Sequence, residues 1–429
     1  MKTKIILVLA FYLVLSGCSE LLADSNGEVK LPNRPVGAAV SHEYPNLFVQ
    51  VTQRSPEQVR AKITAAYQQL FFGDPKTQAV YYPDGSNAYG EKAYIWDVNS
   101  NDVRSEGMSY GMMIAVQMND KAVFDALWNW SLSHMYNDAD EHPAKGFFAW
   151  SVSTQGEKLD EMPAPDGEEY FATALYFASK RWGDGKGIYA YSLWGDKILR
   201  DILHRESITG PTNRGEMTAI NLFDKEHKMV RFTPDVVNSE RTDASYHLPA
   251  FYQIWAKVGP EKDRDFWQQA TQVSRDYFNQ ASHPDTGLTP DYGNFDATPW
   301  AASWRPESVD YRYDAWRTAM NWSVDWSWWK ADQRQVELSN RLQAFFESQG
   351  MDEYKSLYTL DGKPLGGGQT TGIVAMNATA SLAADHPRRQ KFLAALWERP
   401  IPTGPYRYYD GMLYMMALLH CSGEFKAWY

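Results

Sequence analysis

Three segments of the 429-residue chain put carboxylates in unusual company, among glycines, small residues and aromatics at predicted helix starts. The first runs Asp102-Val-Arg104-Ser105-Glu106-Gly107-Met-Ser-Tyr110-Gly111. The second is Ala164-Pro165-Asp166-Gly167-Glu168-Glu169-Tyr170, and the third Tyr311-Arg-Tyr313-Asp314-Ala-Trp316-Arg317. Two carboxyl groups, one holding its proton and one ionised, can cleave a glycosidic bond: the acid protonates the leaving oxygen and the carboxylate activates water or attacks the sugar.

Each segment also has a plainer reading. Ser105 is suited to cap the helix that follows it, which puts Glu106 in the first turn, where a carboxylate simply complements the helix dipole. Gly107-Met-Ser109-Tyr-Gly111 matches a G-x-S-x-G elbow, but an elbow follows a buried strand and the residues before this one are polar. The acids at 166, 168 and 169 lack the alternating oxygen spacing of a calcium loop. At least one of the two glutamates there reads as a solvated, dipole-complementing side chain. Asp314 and Arg317 are three apart and share a helix face, as a surface ion pair would. Tyr313 and Trp316 suggest instead a partly buried setting, in which Arg317 keeps Asp314 ionised and oriented.

These acids need a scaffold. A helix is predicted from Ser55-Pro56, with Ser as cap and Pro as first helical residue, and Val59, Ile63, Ala66, Tyr67 and Leu70 recur at helical spacing. Further helices are predicted near 105–118, 120–135, 167–182, 189–206, 246–258, 263–282, 312–330, 332–349, 369–384, 388–398 and 410–422. About twelve helices without a run of buried strands give an all-α fold. The segment 412–419 is apolar nearly all round and belongs inside, as in the inner of two concentric helical rings. Long loops at 73–104, 137–166, 208–244 and 283–311 crowd one rim, the usual seat of function.

Composition narrows the chemistry. The net charge is −11, without a Lys/Arg cluster of the kind nucleic acid requires. Seventeen Trp and 26 Tyr supply flat faces with a polar edge, suited to sugar rings and equally to a core. Two cysteines, Cys18 and Cys421, build no disulfide framework or zinc site, and no metal or cofactor is expected. Lys2, Lys4 and the short apolar run 5–15 form an export leader. Leu15-Ser-Gly-Cys18 resembles a bacterial lipobox, which implies a leader of residues 1–17, a lipid on Cys18 and a tether over 18–40. The catalytic unit would then span 41–429, monomeric, exported and held at the outer membrane only through the lipid.

Five segments in order carry a closer resemblance: Arg104-Ser-Glu-Gly-Met-Ser-Tyr-Gly, Pro165-Asp-Gly-Glu-Glu-Tyr-Phe-Ala-Thr-Ala, Ser245-Tyr-His-Leu-Pro-Ala-Phe-Tyr, Tyr313-Asp-Ala-Trp-Arg and Tyr406-Arg-Tyr-Tyr-Asp-Gly. The chain resembles glycoside hydrolase family 8, above all its xylan-acting members. The resemblance implies an (α/α)6 barrel with a cleft across one end and single-displacement hydrolysis with inversion. It implies Glu106 as general acid, Asp314 as general base with Arg317 beside it, and Asp166 on the sugar at the cleavage point. Trp150 and Tyr246 match sugar-contacting positions, and Tyr313, Trp316 and Arg104 join them as substrate-binding side chains. Physics adds that the two carboxyls should stand roughly 6.5–9.5 Å apart. Glu106 should be held protonated by burial and by the like charge of Asp166.

The family's reducing-end exo-acting branch resembles this chain up to Leu360-Asp-Gly-Lys-Pro-Leu365, then continues with His-Pro in a blocking loop. Here Gly366-Gly-Gly-Gln369 follows, which favours an open cleft and endo action on xylan and xylo-oligosaccharides. Exo release of xylose from the reducing end is the alternative, followed by a β-1,4-glucanase and by a non-catalytic glycan-binding lipoprotein.

Overall fold

The computed structural model describes residues 36–429. The leader, Cys18 and most of the tether lie outside the described residues. Packed structure starts earlier than the expected boundary at 41. Gly37 sits against the Trp328 carbonyl, where a Cβ would have no room, and Ala38 and Ala39 are buried.

Among the described residues are fourteen α-helices. Two short ones were not expected, α1 (Ala38–Ser41) and α2 (Leu47–Thr52). The other twelve are the predicted set: α3 (Pro56–Phe72), α4 (Ser105–Met118), α5 (Lys121–His134), α6 (Pro165–Trp182), α7 (Tyr191–His204), α8 (Pro249–Val258), α9 (Arg264–Ala281), α10 (Ala315–Trp329), α11 (Arg334–Ser348), α12 (Thr371–Thr379), α13 (Arg389–Glu398) and α14 (Arg407–Ser422). Ser55 and Gln58 cap α3 reciprocally, with Pro56 in its first turn. The expected start of α8 at 246 is instead a 3-10 turn (Ala244–Tyr246), because Pro249 cannot continue a helix from upstream and opens the next one.

The helices alternate in burial. All fifteen residues of α10 are buried, as is most of α4, α6, α12 and α14. These five and α8 form the inner ring, in which α4 meets α6, α6 meets α8, and so on until α14 closes on α4. Each outer helix lies on an inner one: α5 on α4, α7 on α6, α9 on α8, α11 on α10, α13 on α12 and α3 on α14. The result is an (α/α)6 barrel. Trp128, Trp130, Trp255, Trp267, Trp322 and Trp328 are fully buried, so much of the tryptophan content is core.

The strands are short and belong to the loops. One three-stranded sheet matters for the site: Val103–Arg104 pairs with Ser151–Val152, which pairs with Lys158–Asp160. It ties the start of α4 to the segment that carries Trp150.

Candidate active site

A cleft of about 580 Å³ opens among these loops. Arg104, Glu106, Trp150, Asp166, Tyr246, Asp314 and Arg317 all line it. The acids come from the N-terminal ends of three inner helices, α4, α6 and α10, which the ring gathers around one axis.

Arg317 is the hub. It is fully buried, and its Nη1 donates to Glu106 Oε2 at 2.7 Å, while the same nitrogen lies 2.8 Å from Asp166 Oδ2. Its Nη2 lies 3.1 Å from Asp314 Oδ1 and donates to Ser245 Oγ at 3.1 Å. The sequence led us to expect Arg317 beside Asp314 alone, but it bridges all three acids. Glu106 and Asp314 thus contact the two terminal nitrogens of one planar guanidinium, which limits the separation of the two bonded oxygens to no more than about 8 Å.

Glu106 also accepts a hydrogen bond from Tyr408 Oη at 2.8 Å. Burial pushes its carboxyl up to about 7, opposed by the Arg317 charge and reinforced by the like charges of Asp166 and Asp314. The Asp166 carboxyl is likewise raised, mainly by burial, against the pull of Arg317.

Trp150 stands on the small sheet. Its indole N–H donates to Asp160 at 2.7 Å, and the Arg104 guanidinium lies 5.5 Å from its ring. Arg104 is itself fixed by Asp102 and Asp97, at 3.1 and 3.2 Å. Tyr246 stacks on Phe232 with planes 6° apart.

Several residues lie elsewhere than the sequence suggested. Trp316 is buried and donates its indole N–H to Ser356 O at 3.0 Å, so it packs behind the base and does not line the cleft. Tyr313 is 43% exposed and lies outside the lining, with its ring against the cleft residue Arg305. Ser105 does not cap α4: it is the first helical residue, and its Oγ is buried without a partner. Neither Glu168 nor Glu169 is solvated; both are fully buried. Glu168 accepts from the Phe148 N–H at 2.9 Å and Glu169 from Tyr252 Oη at 2.6 Å, and burial holds both carboxyls well above the usual range.

Other side chains of the site went unsingled. Tyr110 Oη lies 2.6 Å from Arg317 Nη1, and Asp291 accepts the Asp314 N–H at 3.1 Å. Trp304, 58% exposed, and Arg305 line the cleft from a long loop. Tyr408 was within reach of sequence reasoning, since it belongs to the fifth segment.

Known proteins agree with this architecture. The model of glycosyl hydrolases family 8 matches residues 95–423. The chain is 40% identical over 394 residues to a reducing-end xylose-releasing exo-oligoxylanase of Paenibacillus barcinonensis, covering 91% of this chain and 98% of that one. A solved GH8 xylobiose complex from Teredinibacter turnerae is 61% identical with a TM-score of 0.90, covering 91% of this chain and all of the other. A xylohexaose complex of a catalytic mutant xylanase from the same organism is 60% identical, with the same TM-score and coverage. With the helical double ring, the ordered segments and the acids gathered in one cleft, the chain belongs to glycosyl hydrolase family 8.

Proposed function

We propose that this enzyme hydrolyses internal β-1,4 bonds of xylan and xylo-oligosaccharides with inversion. Glu106 is the general acid and Asp314 the general base. Asp166 positions the sugar at the cleavage point, and Arg317 orients the acids. Trp150, Tyr246 and Arg104 contact the chain of sugars. The observation that carries this reading is the pairing of Glu106 and Asp314 through one buried guanidinium on the wall of an open cleft. Their separation, at most about 8 Å, does not exceed the roughly 6.5–9.5 Å spacing of an inverting pair. Glu106, raised to about 7, holds its proton in about half of the molecules in neutral solution, ready to give to the leaving oxygen. Asp314 takes a proton from water as its oxygen attacks the anomeric carbon.

Xylan as substrate is supported by the names of the similar proteins, a xylobiose-bound and a xylohexaose-bound enzyme and an exo-oligoxylanase. Endo action is supported by the hairpin of Leu357–Tyr358 and Pro364–Gly366. It adjoins the segment leading to the base through the Tyr311–Tyr358 bridge. Beyond it Gly366 and Gly368 face open space, and among the described residues none from 357 to 368 lines the cleft. The names of the curated relatives favour the second reading, exo release from the reducing end. The lipobox-like segment supports export with a lipid on Cys18, testable by metabolic labelling with a fatty acid.

The roles of the two carboxyls are tested by Glu106→Gln and Asp314→Asn. Glu106→Gln should lose hydrolysis of xylo-oligosaccharides by at least about 10³-fold yet keep activity on a xyloside with a very good leaving group, which needs no protonation. Asp314→Asn should lose both. Equal loss of both substrates in Glu106→Gln would count against the acid assignment.

A further inference from the structure

Asp is a favoured N-cap because its carboxylate accepts from an N–H in the first turn ahead. Asp314 occupies the N-cap position of α10 and makes no such bond. Its φ of −67° and ψ of −36° are already helical, and its carboxylate turns to Arg317 and the cleft. A second acid, 23 residues upstream, holds the Asp314 backbone instead. Asp291 Oδ1 accepts the Asp314 N–H at 3.1 Å, and its Oδ2 pairs with Arg305 Nη2 at 3.1 Å. Asp291 is fully buried, and its own N–H is tied to the Asp310 carbonyl at 2.9 Å. Its other partner, Arg305, lies over the rings of Tyr292 and Tyr313 and lines the cleft.

A buried carboxylate is costly unless its partners require it. Here burial and the nearby Asp314 charge push the Asp291 carboxyl up to about 8, with Arg305 opposing. Were Asp314 to cap its own helix, one carboxylate oxygen would be spent on the backbone and turned from the water. We propose that Asp291 is the positioning residue of the catalytic base: it anchors the backbone N–H of Asp314 at the start of α10, so that the Asp314 carboxylate stays aimed into the cleft. This rests on the reading of Asp314 as the base.

The test compares Asp291→Ala, Asp291→Asn and Asp314→Asn in the full chain, with xylohexaose as substrate. Asp291→Ala removes the acceptor of the Asp314 N–H and the charge partner of Arg305. Its kcat should fall by about 10²-fold, the scale of a misplaced catalytic group, while KM stays within about threefold. Asp291→Asn keeps one acceptor. Arg305 retains Tyr292 Oη at 3.2 Å as a partner, whereas the Asp314 N–H has no other acceptor among the described residues. The amide oxygen therefore goes to Asp314, and kcat should recover to within about fivefold of the parent. An Asp291→Ala enzyme with unchanged kcat, a loss carried by KM, or an Asn variant as impaired as Ala overturns the proposal. Where Asp291→Ala does not fold, Asp291→Asn decides alone, and a kcat below about a fifth of the parent's overturns it. Activity retained in Asp314→Asn would overturn the base assignment instead.

Discussion

At the residue scale, one buried arginine serves three carboxylates, Glu106, Asp166 and Asp314. A single guanidinium cannot fully compensate three negative charges in a site withdrawn from water, so one acid keeps its proton more easily than it would alone. Glu106 is that acid, raised to about 7. It works in its protonated form, so kcat/KM should fall as pH rises through about 7, the alkaline limb reporting Glu106. Tyr408 Oη donates to its Oε1 and favours the ionised form. Tyr408→Phe should therefore move the alkaline limb to higher pH and lower kcat by about tenfold, read from pH profiles. A limb that stays put or moves down would contradict this. Glu106, Asp166 and Asp314 were legible in the sequence because their types and neighbours are unusual. Glu168 and Glu169 were misread because a place at a helix start says nothing of what packs over it. Trp316 was misread because its flanking position concealed the hydrogen bond to Ser356 that faces it inward. Asp291 carries no local signal; its partners come from the fold alone.

At the element scale, the acids depend on close approach between inner helices. A methyl group at Gly167 of α6 would stand 2.5 Å from Ser105 Oγ and 2.7 Å from Ser105 Cβ, at the start of α4. Glycine here lets the helix ends bearing Asp166 and Glu106 meet across Arg317. Gly167→Ala should push them apart and lower kcat about 10²-fold. Crystallography of the variant should show longer Arg317 bonds to one or both acids; full activity with unchanged distances would contradict the point. The helices were legible where caps and periodicity agree, as at Ser55-Pro56. The short α1 and α2 were not, since four and six residues hold too few turns for a periodic signal.

At the scale of the whole molecule, ring closure was an inference, because contacts such as α14 on α4 join segments some 300 residues apart that share no local pattern. The proposed endo action rests on a loop that ends in glycines, Gly366 and Gly368, which face open space. Labelled xylohexaose should yield products of several lengths from the first minutes, whereas xylose appearing first and alone would mean exo action. The central claim is that Asp314 directs a water against the anomeric carbon while Glu106, across the cleft, protonates the leaving oxygen. Time-resolved proton NMR of fresh xylo-oligosaccharide cleavage tests it most directly. Inversion at a β bond predicts that newly formed reducing ends appear first as the α anomer and only then mutarotate. New ends that appear first as the β anomer would contradict the account.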